Sequence, residues 1–160
     1  MEMLLEELQA TLPDARALLH VVVKLIAAMA LGALIGYQRE RSGKAAGLRT
    51  HLLVSLGTTL FVVAALEFGM EDDAMSRVIQ GLVTGIGFLG AGSIMKIREE
   101  KEIRGLTTAA GIWMTAAASV AIGLGQILLG LMAGILAWIV LAVLSRFEPA
   151  PRDGPRHGNG

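Results

Sequence analysis

Five apolar runs, each 18 to 20 residues long and separated by short polar connections, set the pattern of this chain: Leu18–Tyr37, Leu48–Glu67, Val78–Met95, Leu106–Leu124 and Ile127–Ser145. A hydrocarbon layer about 30 Å thick needs about 20 predominantly apolar residues in helical form, so each run predicts a spanning helix. The expected fold is an all-α integral membrane protein with about five transmembrane helices. Polar residues inside the runs are periodic. His51, Ser55 and Thr59 recur every four residues in the second run. Thr108, Gly111, Thr115 and Ser119 do nearly the same in the fourth, so one face of each helix is polar or small.

The third run is unusually rich in glycine, with Gly81, Gly85, Gly87, Gly90 and Gly92 in GLVTGIGFLGAGS. Gly85, Gly87 and Gly90 satisfy the spacing G-x-G-x-x-G that cradles a pyrophosphate. That fingerprint acts only between a strand and a helix N-terminus in a βαβ unit, and here it sits inside a bilayer-length apolar segment. Close helix packing is the reading that fits, since glycines spaced four apart let a neighbouring backbone approach. Gly32 with Gly36, Gly81 with Gly85, and Gly130 with Gly134 share that spacing.

Composition supports a membrane protein: mean hydropathy is +0.61, with 54% hydrophobic and 18% charged residues. Formal net charge is zero, so nothing suggests a nucleic-acid partner. The absence of cysteine excludes disulfides and thiolate chemistry. Basic residues are distributed unevenly. Arg39, Arg41, Lys44, Arg49, Lys96, Arg98, Lys101, Arg104, Arg146, Arg152 and Arg156, eleven of the fourteen, fall after runs one and three, at the start of run two or in the tail. By the positive-inside rule the N-terminus lies outside and the C-terminus in the cytoplasm, which an odd number of spans satisfies. A transmembrane domain is expected over residues 1–146 and a disordered cytoplasmic tail over 147–160, where Pro, Gly and charge leave nothing to build a core. Met1 to Arg16 reads as a short acidic interfacial helix, and its Glu2, Glu6, Glu7 and Asp14 argue against a removable signal. Gly47-Leu48-Arg49-Thr50 and Gly105-Leu106-Thr107-Thr108, an offset of 58 positions (105 minus 47), suggest a parallel two-helix repeat.

Candidate chemistry is sparse. His20, His51 and His157 have no metal-ligand spacing and no Ser, His and acid set stands out, so no enzyme is expected. At the two cytoplasmic corners, Gly47 and Gly105 precede helices whose first N–H groups lack partners. Arg49 and Arg104 lie beside them with the hydroxyls of Thr50, Thr107 and Thr108, a combination suited to an anion such as a lipid phosphate. The simpler reading is that the threonines cap their own helices. Glu71, Asp72 and Asp73 on the outer side are suited to a hydrated Mg²⁺, with a solvated loop as the simpler account. No Asp or Glu falls near the middle of a run, where a cation carrier ordinarily has its ligands.

Three stretches, ALGALIGYQRERSGKAAGLRTHLLVSLG, RVIQGLVTGIGFLGAGSIMK and IRGLTTAAGIWMTAAA, together resemble the membrane domain of the MgtC/SapB family over roughly residues 28 to 120. The resemblance implies a multi-pass protein of the bacterial inner membrane, tied to growth at low magnesium and in some members to survival inside phagocytes. It implies a regulatory role rather than transport, with the membrane ATP synthase a partner of some members, Mg²⁺ as ligand or signal, and no cofactor. A homo-oligomer and contact with the lipid bilayer are also expected. Motif positions carry over as Arg39, Glu40, Gly47, Leu48, Arg49, Thr50, Arg77, Gly85, Gly87, Phe88, Gly90, Gly105, Leu106, Thr108 and Ala109. Gln38 stands where members commonly have Glu, and Asp73 is one position further from Arg77 than the usual acid. Many members continue into a soluble C-terminal domain, whereas this sequence ends in a short tail, so regulation through such a domain is not expected.

Overall fold

A computed structural model describes residues 15–97 and 102–144. It contains α1 (Ala15–Arg41), α2 (Leu48–Glu67), α3 (Asp72–Ser93), β1 (Met95–Ile97), β2 (Glu102–Arg104), α4 (Leu106–Gly123) and α5 (Ile127–Leu144). The five helices form an all-α membrane-type bundle, as the apolar runs predict, with one short hairpin at its edge. Helices α1 to α4 are long and apolar enough to cross a membrane. Helix α5, expected to span as well, is apolar but shorter than these four over its described residues to Val143. The interfacial helix expected at the N-terminus and the tail expected after residue 146 lie outside the described residues, apart from Ala15 and Arg16, which begin α1.

Two connections differ from the sequence reading. The acidic stretch is not wholly loop, because α3 begins at Asp72 and places Asp72 and Asp73 in its first turn. Carboxylates there complement the positive end of the helix dipole. The charged connection before the fourth run folds back as an antiparallel hairpin, pairing Met95 with Arg104, Lys96 with Ile103 and Ile97 with Glu102.

Specific contacts give the direction of every helix. Gly32 lies against His51 and Leu52 while Gly36 lies against Leu48, so α1 and α2 are antiparallel. His51 meets Thr115 and Ser55 meets Ser119, at a constant separation of 64 residues, so α2 and α4 are parallel. Leu31 faces Gly134 and Gln38 reaches the Leu141 carbonyl, so α1 and α5 are parallel. Met75 clusters with Val62 and Ala65 and Ile86 with Val54, so α3 is antiparallel to α2. Helices α1, α3 and α5 therefore run one way and α2 and α4 the other, which collects Arg39, Thr50, Ser93 and Thr108 at one end, the basic end. The two helical pairs of the suggested repeat share this up-and-down order but pack differently. Helix α4 is the hub and touches all four other helices.

Glycine packing is selective. A Cβ on Gly32 would stand 2.7 Å from the His51 carbonyl oxygen, and one on Gly36 would stand 2.8 Å from the Leu48 Cα. Gly130 lies against Ala118 and Ile122, and Gly134 against Leu31. These four sit closely against a neighbouring helix. The cluster on α3 does not: nothing beyond its own helical turn comes within 4 Å of a Cβ built at Gly81, Gly85, Gly87 or Gly92, and of the five only Gly90 meets another helix, at Ala109. Those glycines meet no side chain because α3 is a peripheral helix. Its buried residues are Met75, Ile86 and Gly90.

Candidate functional site at the basic end of the bundle

Arg39 occupies the last turns of α1 and is 2% exposed. Its guanidinium donates to the Thr108 hydroxyl at 2.6 Å, tying the end of α1 to the first turn of α4. A buried guanidinium is tolerated only where oxygen acceptors replace its water. Its neighbour Glu40 serves a different element. Its carboxylate accepts the Leu48 N–H at 2.7 Å, closing the N-terminus of α2 with the chain's own negative charge. A Cβ at Gly47 would stand 2.8 Å from that carboxylate oxygen, so glycine there makes room for the cap. Thr50 is the third residue of α2 rather than its cap, and the Leu48 N–H is taken by Glu40.

The second corner is built differently. Gly105 is left-handed, with φ of 96°, and the Ser93 carbonyl lies where its Cβ would be. Any other residue there is strained and obstructed. Neither Thr107 nor Thr108 caps α4: Thr107 is exposed, and Thr108 is turned inward to receive Arg39.

Beyond this end a polar core runs between α2 and α4. The His51 Nδ1 lies 2.8 Å from the Thr115 hydroxyl oxygen, which lies 2.9 Å from the Gly111 carbonyl. Ser55 donates to the Ala28 carbonyl, and Thr59 donates to the Ser119 carbonyl at 3.2 Å. The Ser119 hydroxyl lies 2.9 Å from Ser55 Oγ and 2.7 Å from the Thr115 carbonyl and shares its one hydrogen between them. His51, Ser55, Thr59, Thr115 and Ser119 are completely buried. Their spacing of four was visible in the sequence, but only the parallel packing of α2 on α4 shows that the two stripes face each other.

The remaining sequence candidates are scattered. Arg49 and Arg104 are exposed at the basic end, and Arg77 is exposed near the start of α3 at the opposite end. Glu71, Asp72 and Asp73 are exposed there too. Among the described residues no three His, Cys, Asp or Glu side chains come together in a way that could hold a metal ion. Thr50, Gly92 and Thr108 are brought together around a groove of about 370 Å³ between α2, α3 and α4. Gly81 and Gly85 line a separate cleft of about 660 Å³ between α2 and α3, and Gly87 is exposed on α3.

The model of the MgtC family matches residues 25–150. The chain belongs to the MgtC family. Among its relatives, Protein SrpB of Synechococcus elongatus is 39% identical over 78% of this chain and 75% of its own length. The protein of Escherichia coli K12 named putative magnesium transporter YhiD is 41% identical over 77% of this chain and 59% of its own. Protein MgtC of Salmonella typhimurium is 44% identical over 72% of this chain, which spans only 48% of that relative. No solved structure matches. Both corners and the buried Arg39 fall within the matched MgtC-family segment.

Proposed function

We propose that this MgtC-family chain is a non-enzymatic protein of the bacterial inner membrane that acts in adaptation to low magnesium by binding another integral membrane protein. The carrying observation is the outer face of α3, where Gln80, Thr84, Gly87 and Ala91 are all exposed at helical spacing. A lipid-facing helix gains nothing from Gln, Thr and Gly. Small and hydrogen-bonding residues are what transmembrane helices use to pack on one another. The family resemblance makes the ATP synthase membrane sector the first candidate partner, and the name of the Escherichia coli relative supports a link to magnesium. The basic end lies in the cytoplasm on this reading, in keeping with the distribution of Lys and Arg.

A photo-crosslinking residue at Thr84, in the full chain in its own membrane, tests the reading. Capture of a membrane protein, lost in Gly87→Leu together with growth at low magnesium, is the expected result. Capture of a second copy alone would make a homo-oligomer the working complex. A chain recovered alone, with Gly87→Leu growing normally, would refute partner binding. The competing reading, transport of Mg²⁺ or another solute, draws on the buried polar core between α2 and α4. It requires ion flux into liposomes containing the purified protein, and flux abolished by Ser119→Val would favour it.

A further inference from the structure

The basic-end groove and the separate α2–α3 cleft adjoin each other on the same pair of helices. They share Leu89, and their walls continue along the same helices, from Thr50 to Phe61 on α2 and from Gly92 to Val78 on α3. The groove carries the hydroxyls of Thr50, Ser93 and Thr108, whereas the cleft above it is almost wholly apolar. Eleven residues of helix separate Thr50 from Phe61, a rise of about 16 Å, close to the roughly 15 Å depth of one leaflet's hydrocarbon. Gly57, Gly81 and Gly85 line both walls without side chains, which leaves a slot wide enough for a hydrocarbon chain.

The polar end favours an anion. Thr108 is 4% exposed and its oxygen accepts from the Arg39 guanidinium, which leaves its own hydroxyl hydrogen to donate away from Arg39. An anionic oxygen in the groove that Thr108 lines would accept that hydrogen. The charge behind it is Arg39, and Arg49, next to Thr50 on α2, is exposed at the same end. Thr58, 3% exposed, lines the apolar cleft at mid-depth.

We infer that this site binds one anionic phospholipid, its phosphate at Thr50 and Thr108 and one acyl chain in the cleft between α2 and α3. The shared chemistry at the polar end is a phosphate oxygen, which a free phosphate could also supply. Only the lipid uses the cleft. The site is separate from the outer face of α3, so either assignment stands without the other.

Native mass spectrometry of the full chain, released from phosphatidylcholine vesicles with or without phosphatidylglycerol, tests the assignment, with inorganic phosphate titrated in a second arm. Phosphatidylglycerol retention is expected to exceed that of phosphatidylcholine by about tenfold. Losing one hydrogen bond to a charged acceptor corresponds to about 1.5 kcal/mol, so Thr50→Val should weaken retention about tenfold. Thr108→Val should do the same. Because it also disturbs Arg39, the half-buried Thr50 provides the independent test. Gly85→Phe fills the slot and should abolish retention with the helical content unchanged. Equal retention of both lipids, or retention unaffected by Thr50→Val and Gly85→Phe, would overturn the proposal. So would phosphate binding that depends on Thr50 while Gly85→Phe leaves lipid retention intact, since the site would then take a free anion.

Discussion

Two seams of this bundle carry glycines four residues apart, and they close to opposite degrees. Between α1 and α2, Gly32 and Gly36 bring backbone against backbone, and the Ser55 hydroxyl crosses the same seam to the Ala28 carbonyl. Between α2 and α3, Gly81 and Gly85 face Gly57 and Thr58 across an open cleft. Helix α3 is held by larger residues instead: Met75 packs with Val62 and Ala65, and Ile86 with Ile112 and Ala116. The difference lies in what stands opposite. A glycine permits close approach, but a hydrogen bond or interlocking side chain must draw the two helices together. Hydrophobic burial does not do so in lipid, where the surroundings are as apolar as the interface.

Substitution at the closed seam should have the largest effect. Gly32→Leu drives side-chain atoms into the His51 carbonyl and Leu52 Cα, and overpacking of that kind costs about 3 kcal/mol. The expected outcome is loss of folded protein or a sharply lower melting temperature in detergent. Gly85→Leu, which meets open space, should stay within about 0.5 kcal/mol of the parent. Equal destabilisation by both would mean that α3 packs tightly in the membrane and would remove the contrast.

The tie between α1 and α4 ranks next. Thr108→Val keeps the shape of the side chain but removes the acceptor of Arg39, a loss of about 1 to 3 kcal/mol in unfolding titrations. A smaller figure is expected inside the polar core. A double-mutant cycle between His51→Phe and Thr115→Val should give a coupling of about 0.6 kcal/mol and no more than about 1.7, the range found for hydrogen bonds between membrane helices. The smallest effect is expected at the α2 cap. Glu40→Gln keeps an acceptor but removes the charge, costing about 0.3 to 1 kcal/mol, with faster amide exchange at Leu48 as the local readout. Exchange at Leu48 unchanged in that variant would show that the charge of Glu40 contributes nothing to the cap.

Much of the architecture was legible in the residue order, and the reason is local. Apolar runs of bilayer length, Gly47 and Gly105 before helices and the spacing of His51, Ser55 and Thr59 are properties of single segments. The hairpin of β1 with β2 was less legible, because its strands are only three residues each and lie in a charged connection. The site was legible only in pieces. Arg39 and Thr108 were both candidates, but they are 69 residues apart and nothing in either segment announces that they bond. Glu40 was a motif position without a role until its carboxylate was seen at the Leu48 N–H.

The sequence alone determined that this protein lives in a bilayer, how many apolar helices it has, and that it belongs with MgtC-type proteins. Those facts depend on segment length, hydropathy and motif spacing, which exist before any helix meets another. Only the tertiary structure decided which glycines pack, that the polar stripes of α2 and α4 face each other, and that the glycine-rich helix is the loose one. Such outcomes depend on the surface opposite each residue, and that surface comes from a distant part of the chain.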